Sequence, residues 1–242
     1  MLLEIRILFI TRGNVNMANK ATLSEQIYKD LFNDITEQRL VCGQKLTLKV
    51  LKERFNVSHT PIREALTRLA ENGLVTYYSN CGVTVTTFTE QDIKELYQFI
   101  GELDALAIVF CKNSYTAEPL IFELTEIMNK SDDLLKAGKI SDWKEFSEEF
   151  HTVFYNHADN YYLYDAAKRM HAKVEVLSCM YYIPSNVEKI NEVHHNIFDA
   201  VKAGDFDKAA ALMRTHLQKD MVYAVNAYKE YQEKQLVKDS GK

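Results

Sequence analysis

The sequence predicts a mainly α-helical protein with one small β-hairpin in its N-terminal third. Its 242 residues include only 3 prolines and 8 glycines, the residue types that most often interrupt helices. Apolar residues recur at helical spacing over most of the chain. β-rich runs occur only at 74–78 and 83–88, and Ser79 to Gly82 between them is typical of a hairpin loop. These observations predict a helical framework to which the hairpin is a local addition.

The distribution of charge predicts two parts with different roles. The formal net charge is −5, with 47% hydrophobic and 26% charged residues, an ordinary globular mix. Residues 1–88 carry 11 Lys and Arg against 8 Asp and Glu, whereas residues 89–242 carry 18 against 26. We therefore expect a mildly basic domain at 17–88 and an acidic domain at 89–232. The last helix is expected to fray into a disordered tail at 233–242.

The N-terminal segment 1–16 is predicted to be a misassigned start or disordered, with translation beginning at Met17. Its apolar run, Ile7 to Ile10, is too short to span a membrane, and no signal-peptide cleavage site follows it. No transmembrane segment is predicted elsewhere. The four scattered cysteines form no CxxC pair, which favours free thiols in a reducing cytoplasm.

The basic part begins with a helix over 22–39, predicted by apolar residues at every fourth position. Thr47 can cap a second helix that ends at Phe55. A third helix begins at Ser58 and has Pro61 in its first turn, where a missing N–H costs nothing. Gly73 ends this helix before the hairpin. Helix, helix, turn, helix and hairpin is the order of a winged helix-turn-helix.

The acidic part contains no further strand signal and is predicted to form a bundle of six helices. Thr89 and Asp92 make a start typical of a capping box. The predicted helices cover residues 89–112, 117–137, 141–158, 160–181, 185–203 and 205–232.

The start of the third helix carries the residues expected to contact DNA. In a helix-turn-helix the second helix of the pair enters the major groove and reads bases with its N-terminal residues. Here these are Ser58, His59, Thr60 and Arg63. Arg63 suits the two acceptors of a guanine edge, and the hydroxyls of Ser58 and Thr60 suit phosphate oxygens.

Two residues outside that turn complete the predicted DNA surface. Lys49 in the preceding helix is placed for a phosphate, and Gly82 at the hairpin tip for the minor groove. The competing interpretation is that Arg63 and Arg68 are only solvated helix charges.

The segment VSHTPIREALTRLAENGLV resembles the signature of the GntR family of bacterial transcription regulators, in which a VSRTPVREAL-like run precedes a two-stranded wing. The match runs from about Leu23 to Phe88. The resemblance implies DNA contacts by Lys49, Ser58, Thr60 and Arg63. His59 replaces the family's arginine, and because a neutral histidine cannot donate a bidentate fork, the operator is expected to differ there.

Histidines in the acidic part make a candidate metal site. His194 and His216 lie on two helices joined at Gly204-Asp205, so they can meet across a helical hairpin, and His151 lies on an earlier helix. Neutral imidazoles from different helices suit a borderline divalent metal. The alternative is that each is an ordinary core or surface histidine.

This part resembles the FCD domain of the FadR-type branch of the GntR family, over about Thr89 to Tyr228. The matching features are FH at 150–151, Asn160, AVKAGD at 200–205 and the Met213/His216 spacing. The resemblance implies that His151, His194 and His216 bind Zn, Ni or Mn, although Ser147 stands at the family's aspartate.

The same resemblance implies an effector pocket at the metal, for which we expect Tyr97, Asp104 and Asn160. Ile100 stands where the family often has an arginine suited to a carboxylate, and Asp104 where it prefers glutamate. We therefore expect weak metal binding or an effector other than a small organic acid.

Two alternatives remain open. Glu148-x-x-His151 and Glu192-x-x-His195 could hold two metals in an enzyme, with Glu102 and Glu123 as further carboxylates. A metal-free regulator could instead bind an apolar ligand along the aromatic stretch Tyr161 to Pro184. No catalytic triad, P-loop or dinucleotide-binding glycine pattern is present, so the sequence does not predict catalysis.

The sequence thus predicts a cytoplasmic transcription regulator, most often a repressor in this family. It is expected to bind a palindromic operator as a homodimer and to respond to a small-molecule effector.

Overall fold

The computed structural model describes residues 22–78, 82–112, 117–181 and 187–240. The chain forms two compact units that divide between Thr87 and Phe88. The predicted N-terminal segment 1–16, the hairpin-loop residues 79–81 and the end of the aromatic stretch at 182–184 lie outside the described residues.

The described residues of the N-terminal unit form three helices and a three-stranded antiparallel sheet in the order β1-β3-β2. The sequence did not predict the strand formed by Lys45 and Leu46. They pair with Thr84 and Val83 of the hairpin, and two residues are too few to show an alternating pattern. The elements are α1 (Leu23–Thr36), β1 (Lys45–Leu46), α2 (Leu48–Phe55), α3 (His59–Glu71), β2 (Val75–Tyr78) and β3 (Gly82–Val85).

The core of this unit forms between one face of α3, one face of α1 and the sheet. Ile62, Ala65, Leu66 and Leu69 of α3 are fully buried. Each large apolar side chain buried in this way contributes roughly 1.5–3 kcal/mol. Since these positions define the inner face of α3, the first turn of the helix is left on the outside.

A buried carboxylate joins α1 to α2. Asp34 accepts a hydrogen bond from Nε of Arg39 at 2.6 Å and another from Nη1 of Arg54. Burial would raise the pKa of Asp34, but the hydrogen bonds and charges of Arg54 and Arg39 outweigh it and hold the pKa below its usual value. The charge of Asp34 therefore stays paired, which fixes the position of α2.

Over its described residues the C-terminal unit is helical, and the six helices predicted there are present. Thr89 caps α4 in a reciprocal capping box: Asp92 N donates to Thr89 Oγ1 at 3.1 Å, and Thr89 N donates to Asp92 Oδ2 at 2.8 Å. The helices are α4 (Glu90–Cys111), α5 (Ala117–Lys136), α6 (Ile140–His157), α7 (Tyr161–Tyr181), α8 (Val187–Lys202) and α9 (Phe206–Ser240).

The last helix is longer than predicted. The sequence analysis placed its end near 232 and a disordered tail at 233–242, whereas α9 continues to Ser240. The reason is local: residues 233–240 contain no glycine or proline and include Glu, Lys, Gln and Leu, which are good helix formers. The position of this segment at the end of the chain was therefore a poor sign of disorder here.

Helices α4 and α9 pack closely along each other. A Cβ atom placed on Gly101 would lie 3.2 Å from Cβ of Leu217, so no larger residue fits at 101 without movement. Among the described residues, three surface ion pairs link the same two helices: Lys112 with Asp207 and Arg214 with Glu102, each at 2.9 Å, and Lys229 with Glu90 at 3.3 Å. Within the described part of the chain, no helix is both long and apolar enough to cross a membrane.

Candidate functional site

The first turn of α3 is exposed, as a helix that enters a DNA groove requires. Ser58, His59, Thr60 and Arg63 are all exposed. Ser58 is the N-cap residue but makes no side-chain capping hydrogen bond, so capping does not occupy its hydroxyl. Together these side chains form a polar surface with a guanidinium at one end.

The two residues predicted to flank this turn are also exposed. Lys49 lies in α2, and Gly82 begins β3 with a φ of 83°, a conformation that favours glycine. The strand before Gly82 adds Tyr77 and Tyr78, each 52% exposed, which the sequence analysis did not single out. A half-buried strand normally alternates apolar and polar residues. The adjacent tyrosines depart from that alternation, which is the signal in the sequence that could have identified them.

The second arginine of α3 has a structural role. The guanidinium carbon of Arg68 lies 4.6 Å from the ring centroid of Tyr28, and Arg68 is half-buried. Asn72 Nδ2 also donates to the Tyr28 hydroxyl at 2.8 Å. A cation over an aromatic ring stabilises the contact between α1 and α3, so Arg63 and Arg68 do not act as a pair.

In the C-terminal unit, three helices bring three buried histidines together. One ring nitrogen of each of His151, His194 and His216 lies within 4.8 Å of the other two. Nε2 of His194 is 3.1 Å from Nε2 of His216. The cluster joins α6, α8 and α9, and Phe150 stacks on His194 with 4.1 Å between ring centroids.

A carboxylate on α4 holds this cluster from one side. Asp104 is fully buried, and its Oδ2 lies 2.8 Å from Nδ1 of His151. Its Oδ1 lies 3.0 Å from Nε2 of His171 and accepts a hydrogen bond from the Tyr155 hydroxyl. Burial would raise the pKa of Asp104, but the charge of His171 and the hydrogen bonds from His151 and His171 hold it well below its usual value.

The ionisation of Asp104 fixes the proton on His151. An ionised carboxylate only accepts hydrogen bonds, so Nδ1 of His151 carries the hydrogen and Nε2 is left as the atom able to bind a cation. Burial lowers the pKa of His151, but the hydrogen bond and charge of Asp104 outweigh it and raise the pKa above its usual value.

The other two histidines are held neutral. Burial and the neighbouring His151 lower the pKa of His216 to about 3. Burial and the neighbouring imidazoles of His216 and His151 lower the pKa of His194 well below its usual value. Neutral imidazole is the form that binds metals, so these two side chains are ready to act as ligands.

A second carboxylate lies behind His216. Oδ2 of Asp220, one helical turn further along α9, is 3.5 Å from Nδ1 of His216. Burial raises the pKa of Asp220 to about 6, although 24% of the side chain is exposed. Asp220, His171 and Tyr155 were not predicted: His171 and Tyr155 contact Asp104 from 67 and 51 residues away, separations at which a single sequence gives no signal.

The three residues predicted for an effector pocket have different surroundings. Asp104 adjoins the histidine cluster, and Tyr97 is buried on the same helix. Asn160 accepts a hydrogen bond from Leu163 N at 3.0 Å, which caps α7. Ser147, at the position where the resemblance implies an aspartate, is half-buried one helical turn before His151.

The structure contradicts the di-metal enzyme alternative. Nε2 of His195 lies 2.9 Å from Oδ1 of Asp132 on α5, and Glu192 is exposed. Glu102 pairs with Arg214, and Glu123 with His157 at 2.8 Å. The second Glu-x-x-His pair is therefore engaged elsewhere and does not join His151, because His194 and His195 point to different neighbours.

The apolar-ligand alternative loses two of its proposed lining residues. Tyr161 and Tyr162 are 73% and 85% exposed, so they do not line an interior cavity. Their position in the first turn of α7 places them at the surface.

An exposed polar helix start beside a small hairpin, in a chain whose second unit is helical with buried polar groups, is typical of a two-domain DNA-binding transcription regulator. Comparison with known proteins agrees. The family model described as bacterial regulatory proteins, gntR family, matches residues 23–85, and the FCD domain model matches residues 95–219. The chain therefore belongs to the gntR family of bacterial regulatory proteins, in the branch with an FCD domain, and it is a DNA-binding regulator and not an enzyme.

Relatives along most of the chain support this assignment. The HTH-type transcriptional repressor RspR of Escherichia coli K12 is 27% identical over 81% of this chain and 86% of its own length. An HTH-type transcriptional regulator in an unstable DNA locus of Streptomyces ambofaciens is 30% identical over 83% of this chain and 84% of its own.

Solved structures share the fold. McbR/YncC of E. coli has a TM-score of 0.70 at 20% identity, covering 88% of this chain and 100% of its own. A GntR regulator from Rhodococcus sp. RHA1 has a TM-score of 0.70 at 20% identity, covering 85% of this chain and 98% of its own.

Proposed function

We propose that this protein is a repressor that binds a palindromic operator as a homodimer and responds to a small-molecule effector in its C-terminal unit. The exposed first turn of α3, Ser58 to Arg63, carries the proposal. The names of two relatives, RspR and GlaR of E. coli, describe them as repressors. Because its target would be chromosomal DNA, we place the protein in the cytoplasm.

The proposed DNA contacts divide into two kinds. Arg63 reads a base edge in the major groove, since its guanidinium can donate two hydrogen bonds to guanine. Lys49, Ser58 and Thr60 bind phosphates and set the register, and Gly82 lets the wing approach the minor groove. His59 stands between Ser58 and Thr60 and contacts the DNA without a bidentate fork.

The chemistry of the histidine cluster fits a divalent metal. Three buried imidazoles from three helices, two of them held neutral, are donors that Zn, Ni and Mn accept. His151, His194 and His216 would hold the ion. When bound, the ion would act as a Lewis acid that accepts an oxygen or nitrogen atom of the effector.

The position of the cluster suggests how occupancy would be transmitted. Asp104 connects α4 to the histidines of α6, α8 and α9. A ligand that prefers one arrangement of these helices shifts the population towards it, and a useful coupling is about 1–3 kcal/mol. Ile100 is fully buried and apolar, so the effector is not held by an arginine at that position.

Selection from random duplex DNA with the purified protein tests the regulator proposal. We expect enrichment of two inverted half-sites with centres about 10 base pairs, or a multiple, apart, because a two-fold dimer presents two copies of α3. The affinity should fall steeply with salt, by about 0.9 log units per log unit of salt for each phosphate contacted. Enrichment of no inverted repeat, or an affinity independent of salt, would contradict the proposal.

A further inference from the structure

A divalent cation in the histidine cluster would need negative charge nearby. Three imidazoles contribute none, and an uncompensated charge in a buried site is costly. The three histidines are at most 8% exposed. The protein can supply this charge through acidic side chains that contact the ring nitrogens of the histidines not used to bind the ion.

Two carboxylates take up matching positions. Asp104 faces Nδ1 of His151 at 2.8 Å, and Asp220 faces Nδ1 of His216 at 3.5 Å. In both histidines this leaves Nε2 for the cluster, and Nε2 of His216 lies beside Nε2 of His194. Histidine ligands commonly donate their second ring N–H to a carboxylate, which fixes the ring and the tautomer.

We propose that Asp220 and Asp104 are positioning residues that hold His216 and His151 for coordination through Nε2 and supply the charge that balances the cation. The inference rests on the proposed metal site. The two residues differ in what else they do: Asp104 also binds His171 and Tyr155 and is fully buried, whereas Asp220 is partly exposed. Asp220 is therefore the residue whose replacement disturbs the fold less.

The first test is the Zn²⁺ affinity of Asp220→Asn in the full chain, measured by competition with a chromophoric chelator. Asparagine keeps the size of the side chain and removes its charge. Loss of such a partner costs about 10- to 100-fold in metal affinity. The matched control is Asp207→Asn on the same helix, where the carboxylate is 72% exposed and pairs with Lys112; it should leave the affinity unchanged.

A relocated carboxylate separates a charge effect from a structural one. Ser147 lies four residues before His151 on α6, on the same face of the helix. We expect Ser147→Asp to restore at least tenfold of the Zn²⁺ affinity lost in Asp220→Asn, beyond any gain that Ser147→Asp gives in the wild-type background. Thermal unfolding of each metal-free variant shows whether the fold is intact.

Each outcome of these experiments either supports or overturns the inference. A weakened Asp220→Asn that Ser147→Asp rescues supports the inference. A weakened variant without rescue shows that the charge of Asp220 does not balance the cation and overturns the inference, as does an Asp220→Asn affinity equal to that of wild type. Failure of wild type to take up Zn²⁺ overturns the metal site as well, while the DNA selection experiment still tests the regulator.

Discussion

Replacing Arg63 with alanine is expected to weaken binding to the selected operator about 5- to 150-fold, equivalent to the 1–3 kcal/mol of a bidentate contact to a base. The side chain is exposed in the leading part of α3, and its loss removes the group proposed to read guanine. Because the helix buries its opposite face, the variant should unfold at the wild-type temperature. Fluorescence anisotropy with the operator and with single-base variants measures both affinity and specificity.

Lys49→Ala and Arg169→Ala are the matched comparisons for this experiment. Lys49→Ala should weaken binding to all DNA sequences alike, because it removes a phosphate contact. It should also lower the slope of log affinity against log salt concentration by about 1. Arg169 is an exposed arginine of α7 paired with Asp165, so Arg169→Ala loses the same charge without any change in affinity. If Arg63→Ala bound the operator as wild type does, the assignment of α3 as the reading helix would be wrong.

His216→Ala should abolish Zn²⁺ binding at the cluster, with a loss of about 1,000-fold or more, which corresponds to about 4 kcal/mol. The variant loses one of the three converging donors, and with it the link to Asp220. Chelator competition measures the affinity. A second measurement is the Zn²⁺-dependent rise in melting temperature, which follows from binding to the folded state and should vanish.

His195→Ala provides the control on the adjacent position. His195 bonds to Asp132 on α5 and does not belong to the cluster, so its replacement should leave Zn²⁺ affinity within about twofold. Equal loss in both variants would show that the metal does not bind where the three histidines meet. Retention of full affinity in His216→Ala would exclude this residue as a ligand.

The features that the sequence predicted well depend on local signals. Ser58, Pro61 and Gly73 mark the ends of α3 through backbone preferences that act within a few residues. The spacing of apolar residues located all six C-terminal helices. The two-residue strand β1 escaped prediction because it forms only by pairing with Thr84 and Val83, distant in sequence.

The histidine cluster was predicted only in part, for the same physical reason. Residue types and the resemblance indicated His151, His194 and His216, which the structure brings together. Asp220 and His171 belong to the same polar group, but their roles depend on which helices pack together, and helical spacing along one sequence does not encode that. The interpretation of Arg68 as a solvated helix charge missed its contact with Tyr28, because that contact joins two helices.

The tight crossing of α4 and α9 has a genetic consequence. Gly101 lies three residues before Asp104, and Leu217 directly follows His216, so the crossing sits beside both carboxylate–histidine pairs. A bulkier residue at position 101 would push α4 and α9 apart and disturb both carboxylate–histidine pairs, although every metal-binding side chain would still be present. A genetic screen for variants that no longer respond to the effector should therefore return substitutions of Gly101, although glycine offers no side chain to any ligand.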